Sequence, residues 1–232
     1  MADRQNQDGS VNHSYDRPEV SVSVGDLGLP GTLVHPVAEH GVVLFAHGSG
    51  SSRLSPRNRF VAEHLQKKGL GTLLFDLLLP SEAADRANVF NITMLAERLA
   101  AATDWACTEQ LRDVPIGYFG ASTGAAAALV AETIGHHRIA AIVSRGGRPD
   151  LAGVALPHVR APTLLIVGGN DTEVIDLNER AFAELDCEKE LKIVPGAGHL
   201  FEETGTLDQV VALAFEFFNR FLRQENLTHA LR

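Results

Sequence analysis

The sequence predicts an α/β fold, a mostly parallel central sheet flanked by helices, and three observations predict it. Short continuous apolar runs recur along the 232 residues, such as Val42-Val43-Leu44-Phe45-Ala46 and Ile139-Ala140-Ala141-Ile142-Val143. Runs of that kind belong to strands covered on both faces. Segments with helical spacing alternate with them, the order of a parallel sheet with right-handed crossovers. Gly-rich or polar loops close the runs at their C-terminal ends, where open α/β sheets bind ligands.

Taken in order, residues 1–18 are polar, rich in Asp, Asn, Gln, Arg and Ser, and read as disordered. Residues 19–232 read as one domain, with no internal repeat. Val20-Ser21-Val22-Ser23-Val24 alternates as an edge strand does, and after a turn at 25–28 a second short strand at 31–35 completes an antiparallel hairpin. The run at 42–46 ends in His47-Gly48-Ser49-Gly50-Ser51-Ser52. A helix is expected over 59–68, with Gly69 stopping it. A buried strand follows over 70–78, then a polar connection over 80–91 and a long amphipathic helix over 92–111. Later strands are expected at 139–144, 162–167 and 189–194, a helix over 174–185, and a closing amphipathic helix over 207–222.

The net charge of −9 argues against a nucleic-acid partner, because phosphate binding needs concentrated Lys and Arg. Cys107 and Cys187 form no CxxC pair, so no metal or redox motif is visible. The polar N-terminus has no apolar h-region, and no 18-residue apolar span exists. The expectation is a cytoplasmic enzyme that needs no membrane, metal or organic cofactor and acts on a small molecule. Homodimerisation is left open.

One stretch carries chemistry. Ile116-Gly117-Tyr118-Phe119 reads as a buried strand, and the alanine-rich run from Ala125 as a helix, since Ala loses no side-chain entropy there. Between them, Gly120-Ala121-Ser122-Thr123-Gly124 fits G-x-S-x-G. So sharp a strand-to-helix turn strains the central residue and holds its hydroxyl out at the sheet edge. The plainer reading is a turn serine capping the helix. Serine is a weak nucleophile until a base lies within hydrogen-bond reach and a carboxylate orients that base. After two later strands come Gly168-Gly169-Asn170-Asp171 and Gly196-Ala197-Gly198-His199. Parallel strands share a C-terminal edge, so Asp171 and His199 fall on the side of Ser122.

These residues, in the chain order Ser, Asp, His, resemble the α/β-hydrolase superfamily, and within it the dienelactone-hydrolase-like group, from about residue 20 to 222. The resemblance implies Ser122 as nucleophile, Asp171 as orienting acid and His199 as base. It implies oxyanion donors on the backbone N–H of Thr123 and on the loop after residue 46, with Ser49 preferred and Gly48 the fallback. Dienelactone hydrolases proper carry a Cys nucleophile; Ser122 here favours general carboxylester hydrolysis. Lactonase, thioesterase or dienelactone-type hydrolysis on the same triad, and a non-catalytic ligand receptor, are the alternatives.

Other candidates stand beside these. Asp76, Glu173 and Asp176 are alternative acids; His47 more readily shapes its turn; His136 and His137 read as surface residues. Residues 145–161 are too few for a helical cap domain, which predicts a shallow, open pocket. Arg145 and Arg148 in that loop, joined by Arg53 and Arg57, are candidates for clamping a substrate carboxylate. The opposing reading is a local ion pair, with Asp150 for example. Leu77, Leu78 and Leu79 either line an apolar acyl wall or pack in the core.

Overall fold

The computed structural model describes residues 17–223. Eight strands form one sheet in the order β1-β2-β4-β3-β5-β6-β7-β8. The expectation of disorder at 1–18 lies outside the described residues up to residue 16. Arg17 donates hydrogen bonds to the carbonyls of His35, Gln66, Gly69 and Leu70. β1 (Val20–Val24) and β2 (Leu29–Val34) form the expected hairpin, and β2 pairs antiparallel with β4 (Gly71–Phe75). From β4 onward the pairings are parallel, through β3 (Val42–Ala46), β5 (Ile116–Ala121), β6 (Ile139–Arg145), β7 (Thr163–Gly168) and β8 (Lys189–Val194).

The apolar runs became strands because helices cover both faces. On one face α1 (Pro56–Lys67) and α7 (Thr206–Phe221) bury Val61, Leu65, Val210, Phe217 and Phe218 against Phe45, Phe119, Val143 and Ile166. On the other, α4 (Ile92–Trp105), α5 (Thr123–Ile134) and α6 (Thr172–Glu184) cover Leu44, Tyr118, Ile142 and Leu165. Each fully buried Leu or Phe contributes about 1.5–3 kcal/mol relative to an exposed one. Ala125, Ala126, Ala127 and Ala128 are all fully buried, so small side chains bring α5 close to the sheet. The Tyr118 hydroxyl, buried with them, lies 2.7 Å from that of Thr103. β8 is one of the two outer strands, and its Lys189, Glu190 and Lys192 are charges that discourage edge-to-edge pairing.

Several boundaries differ from the sequence reading, each for a local reason. α1 starts at Pro56 because Ser55 Oγ accepts from the Asn58 N–H at 3.4 Å and Pro suits the first helical position. The connection at 80–91 is not featureless: it holds two one-turn helices, α2 (Pro80–Ala83) and α3 (Arg86–Val89). Glu82 accepts from the Leu79 N–H at 2.9 Å and Asp85 from the Ala87 N–H at 2.9 Å, so caps rather than apolar periodicity make them. The helix expected over 92–111 is α-helical to Trp105 and continues as a π-turn over Ala106–Gln110. The connection after β6 carries a 3₁₀ segment, Pro149–His158, packed beside α5 and α6, and no large cap. No helix among the described residues is long and apolar enough to cross a membrane.

Candidate active site

Ser122 joins β5 to α5 at φ 51°, ψ −124°, a region an L-residue adopts only under constraint. The constraint is visible. Its carbonyl accepts from the Ala125 N–H at 3.1 Å and from the Arg148 N–H at 3.0 Å. The glycines either side permit the packing. A Cβ on Gly120 would lie 2.5 Å from Ala125 Cα, and one on Gly124 would lie 2.1 Å from the Ala46 carbonyl oxygen. The motif's glycines therefore let α5 start directly against β5 and β3.

Asp171 and His199 arrive from the ends of β7 and β8. His199 Nδ1 lies 2.7 Å from Asp171 Oδ2, and since a carboxylate only accepts, Nδ1 carries the proton and donates. In the neutral ring that tautomer turns the Nε2 lone pair away from Asp171. The carboxylate is 16% exposed and the imidazole 41%. Asn170 fastens the two loops, donating from its backbone N–H to the Ala197 carbonyl at 2.9 Å and from Nδ2 to Gly196 O at 2.9 Å. Glu203 Oε1 accepts from the Gly198 N–H at 3.1 Å. A Cβ on Gly168 would fall 2.5 Å from Ala197 O, so glycine is what lets the acid strand meet the histidine loop.

The two halves meet through the loop after β6. Arg148 bonds Ser122, while a Cβ on Gly146 would stand 3.9 Å from His199 Nδ1. Among the described residues no hydrogen bond joins the Ser122 hydroxyl to His199. Such bonds often tighten only around a bound substrate.

Thr123 is the first residue of α5, where a backbone N–H has no intrahelical acceptor. Facing it is the loop after β3. A Cβ on Gly48 would be 2.8 Å from Ser122 Cβ, which places this loop against the serine, with Ser49 next in the chain. His47 is buried and anchors the loop: Nε2 accepts from the Leu77 N–H at 3.1 Å, which puts the proton on Nδ1, 3.1 Å from Gly48 O. Burial pushes its pKa below the ordinary imidazole value, so it stays neutral. Asp76 accepts from Arg53, at 2.7 Å from the backbone N–H and 2.6 Å from Nη1. That pair spends Asp76 on the loop and leaves His199 to Asp171. Glu173 and Asp176 are exposed on α6. His136 is exposed at the far end of α5, and His137 pairs there with Asp104 at 3.2 Å.

The arginine clamp is not assembled in this structure. Arg148 makes a two-pronged pair with Asp150, both bonds 2.8 Å, which raises its pKa. Arg53 is held by Asp76, and Arg57 pairs with Glu202 at 2.9 Å. Arg145 is 7% exposed, on the α1 face of the sheet, near Phe201 and with Nη2 3.4 Å from Asn58 Oδ1. Burial, with Arg57 nearby, lowers its pKa to about 10, so it remains cationic at neutral pH. The reason is side-chain direction: successive residues of β6 face opposite helical layers, and Arg145 falls in the α1/α7 layer.

Sequence reasoning missed the residues that brace the site. Asn178, buried in α6, donates to Gly147 O at 3.0 Å and fixes the loop after β6. Asn170 and Glu203 act similarly on the loop that carries His199. None belongs to a motif, because a bracing side chain is defined by what folds against it. Among the described residues, no group of three or more His, Cys, Asp or Glu side chains could hold a metal ion. A cavity of about 370 Å³ opens beside Gly48, over the ends of β3 and β4.

No family model matches the chain. It is 55% identical to the dienelactone hydrolase of Anabaena variabilis, whose crystal structure superposes with a TM-score of 0.85 over 89% of this chain and 98% of that one. Est1E of Butyrivibrio proteoclasticus shares the fold at 14% identity, with a TM-score of 0.72 over 87% of this chain and 98% of its own. An α/β serine hydrolase homologue from Coxiella burnetii does so at 19% identity and a TM-score of 0.71, over 86% and 96%. Proteins from two strains of Mycobacterium tuberculosis, each named a putative phosphoribosyl transferase, are 54% identical over 215 residues, 90% of this chain. The match takes in 48% of their length, so the chain spans about half of these curated relatives.

Proposed function

Since this chain belongs to the dienelactone-hydrolase-like group of α/β-hydrolases, and is a hydrolase, we propose that it cleaves small soluble carboxylic esters through an acyl-enzyme on Ser122. The observation that carries this reading is the 2.7 Å His199–Asp171 pair, on the same sheet edge as a serine held at φ 51°. His199 Nε2 takes the hydroxyl proton as Ser122 attacks the ester carbonyl. The N–H of Thr123, with one from Gly48 or Ser49, receives the oxyanion; a single such donor contributes about 3–4 kcal/mol. The protonated His199, stabilised by Asp171, gives its proton to the leaving alcohol, and the acyl–oxygen bond breaks. A water deprotonated by His199 then attacks the acyl-enzyme, releasing the acid and restoring Ser122. Ser122 in place of cysteine, and arginines engaged elsewhere, favour general neutral esters over the dienelactone named for the Anabaena protein.

The transferase name of the M. tuberculosis relatives suggests a second activity in those longer proteins. We assign it to the half this chain does not match, because the residues gathered here fit acyl transfer. Incubation with phosphoribosyl diphosphate and a purine base should give no nucleotide.

The direct test is a fluorophosphonate probe with a short-chain nitrophenyl ester. Labelling at Ser122 with turnover is expected. Ser122→Ala should abolish both while leaving the melting curve unchanged; near-native turnover in that variant would end the proposal. Asp171→Asn should reduce kcat by about 10⁴, the loss seen when an orienting aspartate is neutralised in a serine protease. A mild effect would mean another group orients His199.

A further inference from the structure

The cavity beside Gly48 lies on one side of Ser122, and His199 approaches from the other. Its apolar wall comes from Leu78 in the loop after β4, Pro80 and Ala83 of α2, Val89 of α3 and Leu95 of α4, and the loop after β3 supplies polar lining from His47, Ser51 and Ser52. In the sheet, β3 and β4 lie on one side of β5 while β6, β7 and β8 lie on the other. A histidine that activates the serine must also protonate the leaving oxygen. The leaving alcohol therefore lies toward His199, and the acyl chain extends away from it, toward β3 and β4. We infer that this cavity is the acyl-binding pocket and that it selects uncharged, apolar acyl groups. The inference rests on the esterase reading.

Three features define that selectivity. The first is volume. An apolar cavity of about 150 Å³ takes a benzene ring, so about 370 Å³ takes at most about fifteen carbons beyond the carbonyl. The second is charge. Asp76 is the charged side chain of the lining, and its carboxylate is already engaged by Arg53. A carboxylate on the acyl chain would meet that acid, the apolar wall and only the neutral polar groups of His47, Ser51 and Ser52, with no cation in the lining to pair it, and an unpaired buried charge is costly. The third is stiffness. Glu82 accepts from the Leu79 N–H and pairs with Arg98 of α4 at 2.9 Å, while Asn88 Nδ2 donates to Glu82 O at 3.1 Å. The α2–α3 wall is therefore tied to α4. On the leaving-group side His199 itself is exposed. The enzyme should discriminate acyl chains sharply and alcohols weakly.

The experiment is an acyl-length series of nitrophenyl esters, from acetyl to dodecanoyl, together with an ester whose acyl chain ends in a carboxylate. The wild-type rate should rise from acetyl to octanoyl. The protein should cleave the carboxylate-bearing ester at least about tenfold more slowly than its neutral match. Val89→Trp, which fills the cavity, should lower hexanoyl turnover about tenfold against acetyl while fluorophosphonate labelling of Ser122 persists. Changing the alcohol at constant acyl group should alter kcat/KM only a few-fold. Calorimetric binding of hexanamide, expected in wild type and absent in Val89→Trp, reads the pocket without hydrolysis. An unchanged length profile in Val89→Trp, or faster cleavage of the anionic ester, overturns the assignment. Should no ester be cleaved while hexanamide binds and Val89→Trp blocks it, the pocket stands and the esterase reading falls. If hexanamide binds both proteins alike, or neither, the pocket assignment falls.

Discussion

The proposed nucleophile and its proposed base are held in place by different physics. Around Ser122 the restraint is backbone against backbone: Gly124 meets the Ala46 carbonyl, Gly120 meets Ala125, and Gly48 meets Ser122 itself. The strands behind them are buried on both faces. Around His199 the restraint is mainly side-chain hydrogen bonding on an exposed rim, supplied by Asp171, Asn170 and Glu203. A close-packed interior does not yield to one added methyl, whereas a rim loop shifts and keeps most of its bonds. Damage to the first region should thus appear as lost stability, and damage to the second as lost rate.

One chemical change at two positions tests this. Gly124→Ala would drive a Cβ to 2.1 Å from a carbonyl oxygen of the central strand β3, with no flexible side chain to move aside. We expect a loss of about 3 kcal/mol or more, at or beyond the upper end for overpacking, seen as a large drop in the urea midpoint or as insoluble protein. Gly168→Ala makes a comparable clash, 2.5 Å from Ala197 O, but against the loop that carries His199. There the loop should move: about 1 kcal/mol of stability and about 10²-fold in kcat, because an ångström of misplacement at reacting groups has that effect. Equal stability losses in the two variants would erase the distinction between the regions.

The same distinction explains what could be read in advance. Strand positions and the order Ser122, Asp171, His199 were legible because buried strands leave apolar runs and parallel strands share a C-terminal edge. The two glycines of the G-x-S-x-G motif were legible because close approach leaves a residue type behind. The α2–α3 wall was not: its helices are one turn each, made by Glu82 and Asp85 caps within a polar stretch that has no periodicity to detect. The direction of Arg145 was hidden for another reason. The strand was expected to end at Ser144, which would place Arg145 in the loop. It in fact belongs to β6, and pleating sends it into the α1/α7 layer. The bracing role of Asn178 depends on α6 docking against the loop after β6, which no local pattern records.

A smaller effect separates the regions by pH. Buried His47 holds the loop after β3 as a neutral imidazole, with its folded pKa below the ordinary value near 6.5. The unfolded chain therefore binds a proton first as pH falls. The stability this group contributes is complete above about pH 6.5 and is lost as pH drops through the lower folded pKa. The melting temperature of His47→Gln should fall less between pH 7 and 5 than that of the wild type, although its value at pH 7 is lower. Parallel profiles would show that His47 does not titrate across unfolding.

The smallest expected change lies on the rim. Glu203 Oε1 accepts from the Gly198 N–H, one residue before His199, and Glu203 is itself exposed. In Glu203→Ala that N–H can turn to water, so the penalty of a buried unpaired donor does not arise and the stability loss should stay below about 1 kcal/mol. The imidazole, still bonded to Asp171, should sample a wider range of positions. Because His199 in the proposed reaction acts on the proton and not on ground-state binding, kcat should fall a few-fold with KM unchanged. Steady-state kinetics and a urea melt on one preparation decide it. A stability loss above about 2 kcal/mol would mean the rim is packed as tightly as the interior beneath Ser122.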